Sequence, residues 1–385
     1  MSAGRAVSAG RAVSAGRAVS ARCDVAVVGG GPAGLAVAIG CAARGHAVIV
    51  LDQAAWPIDK ACGEGVMPEG CRALADLGVL SAIDPAERAP IEGIRYLRAD
   101  GLRVEAPLPP PGGLGVRRTA LSAALAARAR GAGAELCAEE PALGVERTEG
   151  GARLVTRRRV VEARYVVGAD GLGSRVRRAL GWDAPPSGAR RLGLRQHFRC
   201  APWTSFVEVH LGDGVEAYVT PAGPRRVGVA FLWDRERLGG GVSAGRLVRC
   251  FPALADRVAG AQADSTPRGS GPLERASARL HDDRFALVGD AAGYIDAITG
   301  EGLSLSLVGA AALSTALDAA LRGGGAAPLA AYERVFRRAY RRYAVATRAV
   351  LFVARRPRLR DGVLSALALA PGLFRCAVGA VLGPR

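Results

Sequence analysis

Apolar residues first gather in Cys23-Asp24-Val25-Ala26-Val27-Val28, a short run that reads as a strand buried on both faces. From Pro32 to Arg44, small and apolar residues continue long enough for a helix. Ala47-Val48-Ile49-Val50-Leu51-Asp52 then repeats the buried-strand pattern. Strand, helix and strand joined by short connections predict a β-α-β unit, and therefore a parallel sheet. A Pro/Gly-rich stretch, Pro107 to Gly115, interrupts the pattern before a second helix, Leu121 to Gly131. Between about residues 190 and 280 the period changes to strict alternation, as in Val207-Glu208-Val209-His210 and Val227-Gly228-Val229-Ala230-Phe231. That change predicts an antiparallel layer inserted into the α/β fold. Residues 303–321 read as a helix, and 327–385 as helical and basic.

Composition sharpens this picture. With 385 residues, half of them apolar, the chain is long enough for two interleaved domains around a sizeable core. Its apolar stretches fall short of the ~20 residues that cross a bilayer, so no transmembrane helix is expected. The N-terminus repeats Ser-Ala-Gly-Arg-Ala-Val at 2–7, 8–13 and 14–19. Arginine, serine and the absence of acids suit a transit peptide, but an identical six-residue unit fits a repeat expansion better. Residues 1–21 are expected to form a disordered tail.

The net charge of +17 invites a nucleic-acid reading. Lys60, however, is the only lysine among 52 basic residues, and the arginines are scattered without a nucleic-acid-binding signature. No nucleic-acid partner is expected. Eight cysteines without C-x-x-C spacing point to a reducing, cytoplasmic setting. Four isolated histidines (His46, His197, His210 and His281) have no ligand spacing, so no metal is expected.

The chemistry begins at Gly29-Gly30-Gly31-Pro32-Ala33-Gly34, a G-x-G-x-x-G run between predicted strand and helix. Gly29 allows the tight turn, Gly31 the approach of a pyrophosphate to the backbone, and Gly34 close helix–strand packing. Pro32 and Ala33 open the helix, whose N-terminus offers N–H groups and a positive dipole end to phosphates. Asp52, at the end of the second strand, is placed to accept hydrogen bonds from ribose hydroxyls.

Two further motifs, Gly168-Ala169-Asp170-Gly171 with its continuation to Arg177, and Val288-Gly289-Asp290-Ala291-Ala292-Gly293 followed by Thr299-Gly300-Glu301-Gly302, complete a pattern. Together the three resemble the FAD-dependent aromatic hydroxylase superfamily, which includes geranylgeranyl reductases and flavin-dependent halogenases. The resemblance spans residues 23 to about 320. It implies an α/β fold, a Rossmann-like FAD-binding fold with an inserted antiparallel β-sheet substrate domain and C-terminal helices. The FAD-binding domain is expected to be discontinuous (22–90, 112–185 and 280–325), the substrate domain to comprise 91–111 and 186–279, and the helices 326–385.

The same resemblance implies non-covalent FAD with NAD(P)H as electron donor. Asp290 would hold the ribityl chain and Asp170-Gly171 would face the cofactor. Gly289 belongs to the ribityl motif, and Gly300 and Gly302 open a helix toward the flavin ring. Arg118 occupies the place of the family arginine that opens the second helix and contacts the cofactor. Many relatives carry proline where this chain has Ala297, on the oxygen-activating side of the flavin, which weakens an oxygenase assignment. Lys60 to Pro68 resembles the Cys-Gly segment of geranylgeranyl reductases. There Cys62 could donate a proton, whereas Glu64 fits either an acid/base or a helix-start carboxylate. Glu216 to Pro221 resembles the tyrosine-containing strand of the reductase pocket, which nominates Tyr218, although that motif's tryptophan is missing. A halogenase is disfavoured, because no lysine follows Lys60 and the W-x-W-x-I-P motif is absent.

The leading expectation is an NAD(P)H-dependent monooxygenase acting on an apolar aromatic or polyketide-like small molecule. A geranylgeranyl reductase-like reductase of isoprenoid double bonds is the alternative, and a non-catalytic flavin-binding scaffold or redox partner the third reading. Arginines before two short apolar stretches in 355–385 add an expectation of peripheral membrane contact, set against plain packing on the enzyme.

Overall fold

The computed structural model describes residues 21–185 and 190–382. The expected N-terminal tail lies outside the described residues, except that Ala21 already belongs to the first strand. That strand, β1 (Ala21–Val28), becomes fully buried over Val25–Val27 and ends at the glycine run. Helix α1 (Pro32–Ala42) follows with all eleven residues buried, and stops earlier than the expected Arg44 in a turn closed by Gly45 at φ +87°. Strand β2 (Val48–Leu51) returns parallel to β1, with Val25 opposite Val48 and Val28 opposite Leu51.

The second long helix, α2 (Arg118–Gly131), begins three residues before the expected Leu121 and leads into β3 (Glu135–Cys137), parallel to β2. On the other side of β1 lies β4 (Val160–Gly168), parallel to it from Ala21–Val161 to Val28–Gly168. The hairpin Gly144–Arg147 and Ala152–Val155 extends the first half of β4 antiparallel.

The inserted layer is an eight-stranded sheet. Its centre is β5 (Arg191–Arg199), β6 (Phe206–Leu211), β7 (Val215–Pro221) and β8 (Val227–Asp234), paired antiparallel in the order β5-β8-β7-β6. Gly93–Leu97 joins β6 in parallel and carries Arg103–Pro107 beyond it. Because side chains alternate along a strand, the sheet has two different faces. Val215, Ala217, Val219, Val229 and Phe231 turn toward a core with Leu247 and Leu254, from two short helices. Tyr218, Ala230 and Leu232 take the opposite face.

The chain then re-enters the first sheet as β9 (Phe285–Leu287), parallel to the second half of β4. The parallel strands thus run β3-β2-β1-β4-β9, the doubly wound order whose switch point falls between β1 and β4. Helix α3 (Gly302–Ala319) packs on α1 and runs into a wider turn through Ala320–Gly324. Gly302–Gly324 corrects the expectation on apolar length, since its 23 residues are long and apolar enough to cross a bilayer. In this fold it is a core helix, with Leu307, Ala310, Leu313 and Leu317 fully buried, and one long apolar face is what a helix between two others requires.

The C-terminal region forms three helices, α4 (Ala327–Ala354), α5 (Pro357–Leu369) and α6 (Pro371–Leu382), the last two meeting at 106°. Phe374, Val378 and Leu382 of α6 pack into the core that backs Val209 and Tyr218, and Phe374 meets the Tyr96 ring edge-on at 5.7 Å.

Candidate functional site

The carboxyl ends of β1 and β4 open into a crevice of about 550 Å³ that continues under the eight-stranded sheet. Fourteen of the residues nominated from the sequence line it, among them Gly29, Gly31, Pro32, Ala33, Asp52, Arg118, Asp170, Gly171, Asp290, Gly300 and Gly302, and also Cys62, Glu64 and Tyr218. Gly34 and Gly289 do not. They lie behind the lining and let it close up: a Cβ on Gly34 would stand 1.9 Å from the Gly29 carbonyl oxygen, and one on Gly289 2.8 Å from the Ala33 side chain.

The nucleotide end is built for close approach. Gly29 sits at φ +105°, and a Cβ there would meet the Ala169 carbonyl oxygen at 2.4 Å, so only glycine fits where β1 passes β4. At Gly31 the situation is reversed. A Cβ would find only the Arg118 guanidinium, 3.8 Å away, with open crevice beyond. Helix α1 starts there without a side-chain cap, which leaves its first N–H groups to serve a ligand. Arg118 is buried, and its Nε has no hydrogen-bond partner among the described residues. Asp52 is oriented by backbone N–H groups, Gly30 donating at 2.7 Å and Ala54 at 2.8 Å. Trp56 lays its ring over Gly30 and donates to its carbonyl at 3.0 Å, closing the back of the turn. A glycine cradle with open space, uncapped helix amides, an unpartnered guanidinium and a held carboxylate fit a dinucleotide such as FAD.

The two motif aspartates have different surroundings. Asp170 accepts from the Ser174 hydroxyl and from the N–H groups of Arg175 (2.6 Å) and Val176 (3.2 Å), so its carboxylate caps the short helix Arg175–Ala179. Asp290 is partly open to the crevice and faces Lys60 Nζ at 3.7 Å.

Beyond the nucleotide end, Ile58 to Gly65 runs along the crevice and carries Cys62 and Glu64. Glu64 is 1% exposed and adopts φ +60°. One carboxylate oxygen accepts from the Arg118 backbone N–H at 2.8 Å, and the other pairs with His197 Nε2. The helix-start alternative therefore describes its contacts, though the helix it serves is α2, 54 residues away. This explains why α2 begins early without an N-cap residue of its own. Sequence reasoning passed over His197, whose spacing matches no ligand motif; its inward place on β5 follows only from sheet register.

Tyr218 lines the far part of the crevice with Val207, Ala230, Leu232 and Leu273. Its hydroxyl has no hydrogen-bond partner among the described residues, and burial pushes its pKa well above that of a free tyrosine. Two strand positions before Tyr218, and so on the same face, Glu216 pairs with Arg191, which also meets Asp296 at 3.1 Å. All three are about 2% exposed. Burial raises both carboxyls and the Arg191 charge opposes it. The sequence reading missed this cluster too, since its members come from three separated segments.

A doubly wound sheet whose switch point carries a glycine cradle, joined to an antiparallel sheet that roofs the same crevice, defines a dinucleotide-binding oxidoreductase of the flavoprotein type. The chain belongs to the FAD-binding-domain family, whose sequence profile matches residues 22–349. It is an FAD-dependent oxidoreductase. It is similar to menaquinone reductase of Mycobacterium tuberculosis, with 28% identity over 305 residues, 74% of each chain. With the Mycolicibacterium smegmatis menaquinone reductase it shares 44% identity over 90 residues and spans 21% of that protein's length. Digeranylgeranylglycerophospholipid reductase of Methanothrix thermoacetophila is 31% identical over 340 residues, covering 82% of this chain and 83% of that one. Protoasukamycin 4-monooxygenase of Streptomyces nodosus subsp. asukaensis is 30% identical over 349 residues, 82% and 84% of the two chains. In fold, a flavoprotein/dehydrogenase from Cytophaga hutchinsonii superposes with a TM-score of 0.80 at 18% identity, covering 94% and 93% of the chains.

Proposed function

We propose that this enzyme reduces carbon–carbon double bonds of an apolar, isoprenoid-type small molecule, with NAD(P)H as the ultimate electron donor. The observation that carries the reading is that two weak acids, the Cys62 thiol and the Tyr218 hydroxyl, line one largely apolar crevice beyond the nucleotide end. Saturating a double bond requires a hydride and a proton. Bound flavin supplies hydride chemistry, and the residues of this chain must supply the proton. A thiol and a phenol are each chemically able to donate one, and the apolar walls of Val207, Leu232 and Leu273 limit the water that would compete. Asp52, Arg118, Asp290, Gly31 and the start of α3 would hold the cofactor. The relatives named as menaquinone and digeranylgeranylglycerophospholipid reductases support this reading.

Monooxygenation of an aromatic or polyketide-like molecule is the second reading, supported by the likeness to protoasukamycin 4-monooxygenase. Turnover with labelled molecular oxygen separates the two. Reduction that proceeds under nitrogen, with no label in product, is the expected result; label in the product, with turnover abolished under nitrogen, would replace the reductase reading with the oxygenase one. Anaerobic bleaching of the flavin by NADH or NADPH identifies the donor.

We place the enzyme in the cytoplasm, touching anionic membranes through its C-terminal helices. The inner face of α6 packs on the substrate sheet, but at the bend Leu369 is 89% and Leu373 64% exposed, with Arg375 exposed two residues on and Arg358 exposed at the far end of α5. An exposed apolar tip with Arg375 beside it complements an anionic lipid surface. Leu369→Glu with Leu373→Glu leaves the packed face intact. This variant is expected to keep its flavin and to lose the wild-type cosedimentation with phosphatidylglycerol vesicles at low salt. Wild-type protein that stays in the supernatant would remove the membrane from the proposal.

A further inference from the structure

The segment carrying Cys62 continues into a glycine that nothing packs against. Gly63 has no heavy atom within 4 Å of where its Cβ would be. Yet Glu64 immediately after it is fully enclosed and held at positive φ, a conformation that costs a non-glycine residue on the order of 1 kcal/mol. Strain of this kind persists only where the surroundings impose it.

Those surroundings are a buried polar chain. Glu64 Oε2 meets His197 Nε2, and His197 is 0% exposed. Its Nδ1 lies 3.1 Å from Arg195 Nη1 and 2.8 Å from the Ser265 hydroxyl. A guanidinium only donates, so Nδ1 must accept, and the imidazole proton sits on Nε2 pointing at the Glu64 carboxylate. Burial favours the neutral ring, and Arg117 and Arg195 add to that effect while Glu64 opposes it. Arg195 in turn pairs with Asp59 on the same segment as Cys62. The segment is therefore tied to β5 at both ends, by Asp59 to Arg195 and by Glu64 to His197. Between the two ties, the Glu64 N–H points to Cys62 Sγ at 3.3 Å.

We propose that His197 and Glu64 are positioning residues that clamp the Cys62 segment against the substrate sheet, with the Glu64 backbone N–H aiming the sulfur. Both carboxylate oxygens of Glu64 are engaged, one by the Arg118 N–H and the other by His197, which removes it from the acid/base role open to it in the sequence. The inference rests on the reductase reading only for what Cys62 does, not for how it is held.

The test uses the flavin-loaded full-length protein and reads iodoacetamide alkylation of Cys62 by peptide mass spectrometry, with exposed Cys250 as the internal reference. His197→Leu removes the donor to Glu64 and the acceptor for Arg195, whereas His197→Gln offers an amide donor and a carbonyl acceptor in their place. Losing one buried hydrogen bond corresponds to a change of about fivefold in the population of the held segment. The expected result is a Cys62 alkylation rate at least about threefold above wild type in His197→Leu, with Cys250 unchanged and flavin occupancy preserved. His197→Gln is expected to restore the rate. Ser265→Ala, which removes the hydroxyl that meets His197 Nδ1, the His197 N–H and Arg195 Nη1 but leaves the His197–Glu64 pair in place, provides a second perturbation in the same direction if the leucine variant fails to fold. Unchanged Cys62 alkylation in a folded His197→Leu or Ser265→Ala protein overturns the clamp, as does a His197→Gln protein no better than His197→Leu. Full activity of Cys62→Ala would instead defeat the proton-donor reading and leave the alkylation result standing.

Discussion

Gly31 and Gly34 belong to one six-residue motif but answer to different neighbours, and exchanging each for alanine separates folding from cofactor binding. In Gly34→Ala the new Cβ would stand 1.9 Å from the Gly29 carbonyl oxygen and 3.1 Å from the Ala169 Cβ. An ordinary C···O contact is roughly 3.3 Å, so α1 must withdraw by more than about 1 Å from a sheet it packs on along its whole length. Overpacking of this kind costs about 1–3 kcal/mol or more, and the helix-propensity gain of about 1 kcal/mol offsets only part of it. A net loss of about 1–2 kcal/mol is expected, with flavin present or absent. Gly31, by contrast, has φ −75° and ψ −178°, which any residue adopts, and its Cβ would touch nothing closer than 3.8 Å. Apoprotein stability should change by no more than about 0.5 kcal/mol. The methyl group would, however, occupy the space through which phosphate reaches the α1 amides. Losing a charge-assisted hydrogen bond there is worth about 1.5–3 kcal/mol, or roughly a tenfold to hundredfold weaker FAD dissociation constant. Thermal unfolding of the two apoproteins, with FAD titration followed by quenching of tryptophan emission, measures both quantities. Wild-type FAD affinity in Gly31→Ala, or wild-type stability in Gly34→Ala, would refute the reasoning.

Purified protein should be yellow and should release its flavin on acid precipitation; colourless protein that takes up no added FAD contradicts the assignment. Asp290→Ala should lower flavin retention about tenfold or more, whereas Asp170→Ala should act mainly on stability, through loss of its helix-capping bonds; bound flavin per protein and the unfolding midpoint distinguish them. Burial disfavours the Glu208 carboxylate, but His210, Trp203 and Arg95 beside it outweigh burial and hold its pKa down at about 2. A depressed pKa contributes stability that is present above the unfolded value and lost as pH falls through the folded one. That part should therefore disappear between pH 4.5 and about 2. Denaturant unfolding across this range should show a shallower acid loss in Glu208→Gln than in wild type, and identical slopes would exclude Glu208 as a contributor.

Local features of the site could be read from the chain, and paired ones could not. The Gly29–Gly34 turn, Asp52 at the end of β2 and the glycine-rich start of α3 each depend on a few neighbouring residues, so the motif and the strand-to-helix change sufficed to nominate them. The start of α2 falls three residues before the expected Leu121 because Arg117, not a Ser, Thr, Asp or Asn, stands at its N-cap; the cap comes from Glu64, and a helix signal drawn from a distant loop leaves no trace in the local pattern. His197 sits in an alternating strand, where a single histidine suits either face, and only the pairing of β5 with β8 turns it inward to Glu64. The Arg191, Glu216 and Asp296 cluster joins β5, β7 and the segment before α3, a meeting fixed by tertiary register alone.

The interleaving of the two sheets has a consequence for how the protein is made. β1 is made before its parallel partner β4, which sets Gly168 opposite Val28, and the crevice gains Asp290, Gly302 and Ser306 only later still. At about 5–20 residues per second, roughly 15–60 s separate the first glycine of the cradle from the last wall of the crevice. Until β4 is made, β1 has a partner, β2, on one edge only, and until Ser306 the cofactor site lacks part of its wall. Flavin can therefore engage a complete site only once the chain extends past Ser306, and from then on it favours the folded form by mass action.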